Sequence, residues 1–224
     1  MKIAFLDFEF GQIYGSWRRD FLITEVGLLI YDTQNDTIKL AEKTFTPVCD
    51  VIMRERVKHK NGTIGLSEYI LNSKNKKNFN IDSTYKIAKK KKYQVRGRWN
   101  KFYQNNLQKF LYFHTNSVDQ IILFGGSEDH ILLKKHDIDM NIPTIDLQSH
   151  LHKDFGKLYS LDLVAQLLDL KISHNRNIIS KNHKYSFPKK GKKNFNYNEQ
   201  HLKAHHAVGD CALLFLSYKE LYGF

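Results

Sequence analysis

The chain has 224 residues, 42% of them hydrophobic and 13% aromatic, which is enough apolar material for a sizeable core and too much for wholesale disorder. Three prolines exclude a proline-rich or collagen-like chain, and two cysteines, Cys49 and Cys211, cannot build a disulfide framework and suit a reducing compartment. Lys and Arg outnumber Asp and Glu by 35 to 23, a net charge of +12, and no apolar run reaches the ~18 residues of a membrane span, so a cytoplasmic protein with no membrane partner is expected.

In chain order, Ile3 to Leu6 followed by the alternation Asp7-Phe8-Glu9-Phe10 predicts a first strand. Residues 22–31 and 37–46 predict a second and a third, joined across the turn formers Asp32 to Asp36 as a hairpin requires. Residues 64–71 begin a helical patch, and 102–113 place apolar residues at helical spacing. A short strand over 121–124 ends at Gly125-Gly126, and a helix over 127–136 follows with Ser127 as its N-cap. Residues 143–147 read as another strand, 160–170 as a helix capped by Ser160, and 207–222 as a last helix with Val208, Cys211, Phe215, Tyr218 and Tyr222 on one face. A strand meander followed by alternating strands and helices means α/β, with a mixed β-sheet flanked by α-helices in a single domain over 1–224.

The charge is concentrated. Residues 74–101 hold eleven basic residues and one acid, and residues 171–204 hold nine and one, leaving a net acidic body. The segments about 74–101 and 174–203 are too poor in apolar residues to form cores and read as basic insertions. They fit either a grip on a polyanion or a pair of solvated loops. In the second, Tyr185, Phe187, Phe195 and Tyr197 interleave with Lys184, Lys189, Lys190, Lys192 and Lys193. That mixture suits a single-strand groove, and equally a loop with a few anchoring aromatics.

Asp7 and Glu9 stand two apart on the first strand, so both leave one face of the sheet. Two carboxylates in an apolar run repel each other and lose hydration, an arrangement stabilised by a cation; oxygen ligands alone suit Mg²⁺ or Mn²⁺ over Zn²⁺. Solvated acids at a sheet edge are the plainer alternative. Glu128 and Asp129 follow the turn after the 121–124 strand, where a parallel sheet collects active-site groups. Asp210 lies in the last helix, five residues after His205 and four after His206. A zinc site from His201, His205 and His206 lacks an intervening Glu and any cysteine pair.

Taken together, FLDFEF at 5–10, ITEVGLLIYD at 23–32, ILFGGSEDHILL at 122–133 and HHAVGDCALL at 205–214 resemble the DEDDh, or DnaQ-like, family of 3′-to-5′ exonucleases in the ribonuclease-H-like superfamily. Gly125 stands where many members have Asn, and Phe10 where many have Thr. The resemblance implies that Asp7, Glu9, Asp129 and Asp210 bind two Mg²⁺ ions, with Mn²⁺ as a substitute. Asp129 is preferred over Glu128 because Leu133 follows it at the family spacing. His205 would be the catalytic base, and single-stranded 3′ ends of DNA or RNA would be hydrolysed to nucleoside 5′-monophosphates. Phe10 would touch nucleic acid by base stacking, although a core position on the sheet's other face is the preferred reading for both Phe8 and Phe10. Lys89, Lys90, Lys91, Lys92, Arg96, Arg98, Lys189, Lys190, Lys192 and Lys193 would contact the strand's phosphates. A non-catalytic nucleic-acid-binding protein on the same fold explains the basic segments too, but leaves the four acids and the histidine without a task.

Overall fold

A computed structural model describes residues 1–12, 21–45, 56–59, 62–65, 104–173, 176–187 and 195–223. Strand β1 (Lys2–Gln12) pairs antiparallel with β2 (Phe21–Asp32), which pairs antiparallel with β3 (Thr37–Thr44). The β2–β3 turn closes on the Asp32 carboxylate, which accepts the Gln34 N–H at 3.1 Å, as an Asx-turn does. A small hairpin, β4 (Arg56–His59) with β5 (Gly62–Gly65), stands apart from this sheet.

Helix α1, residues 104–115, leads to β6 (Gln120–Leu123), which runs parallel to β1 on its free side. Helix α2 (Ser127–Lys135) and β7 (Thr144–Asp146) follow, then α3 (Leu147–Phe155) and α4 (Leu161–Leu167). The three-residue strands β8 (Lys171–Ser173), β9 (Asn177–Ile179) and β10 (Lys184–Ser186) form a second small sheet. Strand β11 (Phe195–Asn196) joins the edge of the main sheet beside β3, and α5 (Ala207–Tyr222) ends the fold. The main sheet is mixed and six-stranded, in the order β11-β3-β2-β1-β6-β7. The α/β class with a mixed sheet flanked by helices is therefore as the sequence indicates.

Residue parity on β1 separates the two faces. Ala4, Leu6 and Phe8 pack with Leu107 and Leu111 of α1 and with Leu132 and Leu133 of α2. Ile3 and Phe5 pack on the other side with Leu151 of α3, Val164 of α4 and Phe215 of α5. Asp7 and Glu9 continue that second face, toward α5. Helix α5 is apolar nearly all round because it lies between the main sheet and the elements outside it. Its N-terminal end sits directly on β2 at Gly27, the register partner of Asp7. A Cβ on Gly27 would stand 2.3 Å from the Ala207 backbone carbonyl, so only glycine admits this approach.

Several local expectations change. Residues 64 and 65 are strand, not helix: Ile64 pairs with Val57 in a short antiparallel hairpin. Residues 66–71 lie outside the described part. Ser127 is the first helical residue of α2, and Gly126 is the cap, without a side-chain hydrogen bond. Ser160 does cap α4, accepting the Leu163 N–H, but α4 stops at Leu167 because Asp169 turns the chain with positive φ. Helix α3 had no strong apolar stripe to announce it; Asp146 caps it by accepting the Gln148 N–H, and only Leu147 and Leu151 are buried. The basic segment from 174 contributes β9, β10 and β11 instead of running as a plain loop. Among the described residues, no helix is long and apolar enough to cross a membrane.

Candidate active site

Three carboxylates converge from two elements. Asp7 and Glu9 project from β1, and Asp210 from the first turn of α5; they offer oxygens that all lie within 4.8 Å of one another. Two features bring α5 to this position: glycine at 27 against its backbone, and glycine at 209, where a Cβ would meet the Lys203 carbonyl oxygen at 1.9 Å. Asp129 stands in the first turn of α2 and is not one of the three whose oxygens converge. It is 6% exposed, and its charge acts on Asp7. The connection from β6 is short, with Gly125 in the left-handed region at φ 69° and its N–H donated to Asp146 at 2.9 Å. The Glu128 side chain lies outside the described part.

Burial and like charge dominate the electrostatics of this group. Burial pushes the Asp7 carboxyl well above the usual carboxylate range, and the charges of Asp210, Asp129, Glu9 and Glu25 push the same way. Asp210 is pushed up to about 7, again chiefly by burial, against a hydrogen bond from the His205 N–H that favours the ionised form. Such a group is favourable at neutral pH only if a cation joins it or a proton remains bound. The three converging donors are hard carboxylate oxygens, the ligand type that suits Mg²⁺ or Mn²⁺ over Zn²⁺.

His205 lies outside α5, with His206 as the N-cap residue and Ala207 the first helical one. Its backbone sits in the left-handed region at φ 63°, a conformation that costs a non-glycine residue energy and that the surroundings must enforce. Its own N–H donates to Asp210 Oδ1 at 3.2 Å. The imidazole is 80% exposed, with Nε2 at 3.6 Å from Asp162 of α4.

A second group adjoins the first. Glu25, directly opposite Glu9 in the β1–β2 register, lies with His201 and His206, and their donor atoms also fall within 4.8 Å, close enough to hold a metal ion. Glu42 of β3 hydrogen-bonds His201 and accepts the Asn198 N–H at 2.7 Å. The sequence reading passed over both glutamates. The available signal was one acid, Glu25, inside an otherwise apolar strand.

The nucleic-acid contacts fare differently. Phe10 packs with Phe8 against the core on the face opposite Asp7 and Glu9, so it does not stand beside the carboxylates. Phe187 and Tyr197 are buried and Tyr185 packs on Phe215, which makes these aromatics anchors of their segment and not a stacking groove. Lys89, Lys90, Lys91, Lys92, Arg96, Arg98, Lys189, Lys190, Lys192 and Lys193 lie outside the described residues, as does Cys49; Cys211 is buried and unbridged. No family model, curated protein or solved structure matches the chain.

Proposed function

We propose that the chain is a metal-dependent 3′-to-5′ exonuclease of the DEDDh type on a ribonuclease-H-like sheet, acting on single-stranded DNA or RNA ends. The observation that carries this reading is the convergence of Asp7, Glu9 and Asp210, with Asp129 near enough to act on Asp7, beside an exposed histidine at the mouth of α5. Four acids repel a phosphodiester unless cations intervene, so an acidic centre in a chain with strongly basic segments needs metal to handle a polyanion.

Asp7, Glu9, Asp129 and Asp210 would hold two Mg²⁺ ions, or Mn²⁺ in their place. Bound there, the ions supply charge neutralisation at phosphorus and a lowered pKa for attacking water. His205 takes the proton of that water, for which an exposed imidazole outside the helix has both reach and solvent access. Asp210 accepts the His205 N–H and so ties the base to the carboxylates. The bond from phosphorus to the 3′ oxygen breaks, releasing a nucleoside 5′-monophosphate. The basic residues of 74–101 and 189–193 would track the strand's phosphates.

The test uses 5′-labelled DNA and RNA oligonucleotides with Mg²⁺, Mn²⁺ or EDTA. A ladder shortening from the 3′ end with metal, and none in EDTA, is the expected result. Retention of intact strand without cleavage would make the chain a nucleic-acid-binding protein instead.

A further inference from the structure

The loop that presents His205 is held by a group of side chains that the proposed reaction does not itself use. Glu25 is 8% exposed, and a buried carboxylate needs partners for both oxygens. Oε1 accepts the Ala207 N–H at 2.9 Å, the first N–H of α5 and two residues from His205. Oε2 faces His206 Nδ1 at 3.4 Å and His201 Nδ1 at 3.9 Å. Both oxygens are thus turned to the loop and not to the Asp7 cluster, although Glu25 stands opposite Glu9 on the neighbouring strand. The two imidazoles stack on each other at 4.3 Å between centroids, and Glu42 fastens His201 to β3.

This group has the donor types of a zinc site, but its orientation is that of a hydrogen-bonded clamp. The rings are within 14° of parallel and both Nδ1 atoms are turned to the Glu25 carboxylate, so each ring nitrogen on that side already faces an acceptor within the chain. The Asn198 carbonyl oxygen accepts the Gln200 N–H at 3.1 Å, which turns its NH₂ toward His201 Nε2 at 3.0 Å. That arrangement suits Nε2 as an acceptor and Nδ1 as the side turned to Glu42.

We propose that Glu25 is a positioning residue for His205: it fixes the first N–H of α5 and, through the His201–His206 stack, holds the loop so that His205 keeps its left-handed backbone above the carboxylates. The proposal rests on the exonuclease reading. The strain at His205 gives it a physical basis, since a residue at φ 63° relaxes once the restraints at Ala207 and His206 are removed. Glu25 acts on catalysis through geometry, not by touching substrate or ion.

A double-mutant cycle on cleavage of a labelled oligonucleotide in Mg²⁺ tests this. Glu25→Ala is expected to lower kcat about 10–100-fold, the scale of lost orienting contacts, with KM unchanged. Glu25→Gln, whose amide oxygen still accepts the Ala207 N–H, recovers most of that loss. The Glu25→Ala/His205→Ala double variant is no slower than His205→Ala alone, because a residue acting through His205 has nothing left to position. Should Glu25→Ala melt below the assay temperature, the cycle is run at a lower temperature at which circular dichroism shows all the variants folded. Additive losses would overturn the proposal, as would an unaffected kcat or one-to-one Zn²⁺ uptake that His206→Gln abolishes. If wild type shows no metal-dependent cleavage at all, it is the exonuclease reading that fails.

Discussion

Two clusters of acids share one face of the sheet, separated by a single strand spacing, and they resolve their charge in opposite ways. Around Asp7 the carboxylates face one another, and both Asp7 and Asp210 are pushed up by burial and mutual repulsion. Around Glu25 and Glu42 each carboxylate accepts one backbone N–H and turns its second oxygen to an imidazole. The second arrangement is complete within the chain. The first crowds like charges in a buried place, and on this contrast rests the proposal that one group binds a cation while the other holds a loop.

The largest effect should come from removing the packing that both clusters share. Gly27→Ala drives a methyl into the Ala207 backbone and forces α5 off β2, with an expected loss of about 1–3 kcal/mol of stability. Because Asp210 and His205 ride on that helix end, cleavage should fall with it. Chemical denaturation and a cleavage assay together check this, and a variant of wild-type stability would show that the contact is not tight.

Next are the two histidines, which sit on opposite sides of the comparison. His205→Ala should cost ~10²–10⁴-fold in rate, the usual contribution of a general base, with little change in substrate binding. It should not lower the melting temperature, since its pairing with Asp162 is at the surface and its backbone is strained. His206→Ala should cost much less activity but reduce stability, because its ring is stacked on His201 and faces Glu25. Reversed effects would put the base one residue later.

A smaller effect comes from a carboxylate at the far end of α5. Burial alone would raise Glu220, but bonds from Ser180, His183 and Asn182 outweigh it and hold it down at about 2. Its stabilising contribution is present above its ordinary value of 4.5 and is lost as pH falls toward about 2. Glu220→Gln should therefore cost about 1–3 kcal/mol at neutral pH and progressively less in acid, as melting curves across pH would report.

How much of this was legible beforehand depended on whether the signal was local. Asp7 and Glu9 announce themselves by alternation in a strand, and His205 and Asp210 by spacing at a helix start, so the candidate site could be written down residue by residue. Asp129 was harder, since Glu128 is chemically equivalent in sequence; Asp129 is buried and acts on Asp7, while the Glu128 side chain lies outside the described part. Glu25 and Glu42 were illegible as partners of His201 and His206 because more than 150 residues separate the pairs. Helix α3 was missed for a related reason: its cap Asp146 is a strand residue that also holds the Gly125 N–H, a tertiary bond no local pattern encodes. The aromatics near Lys184 carried an ambiguous signal, and packing against α5 resolved it toward anchoring.

The central claim is that the Asp7 cluster is a divalent-cation site, and thermal melting across pH tests it most directly. Asp7 and Asp210 are both raised, so protonation favours the folded state; that stabilisation is complete below the ordinary 3.8 and, for Asp210, is lost as pH rises through about 7, with Asp7 acting in the same direction. Without divalent ions, the melting temperature should decline from pH 5 toward pH 8, and Asp7→Asn should melt higher than wild type at the upper end. Millimolar Mg²⁺ should restore the wild type there by binding the ionised cluster and leave Asp7→Asn almost unmoved. Imidazole-rich groups hold Mg²⁺ poorly, so the Glu25 cluster does not contribute. Equal Mg²⁺ responses in the two proteins, or none in wild type, would contradict the account.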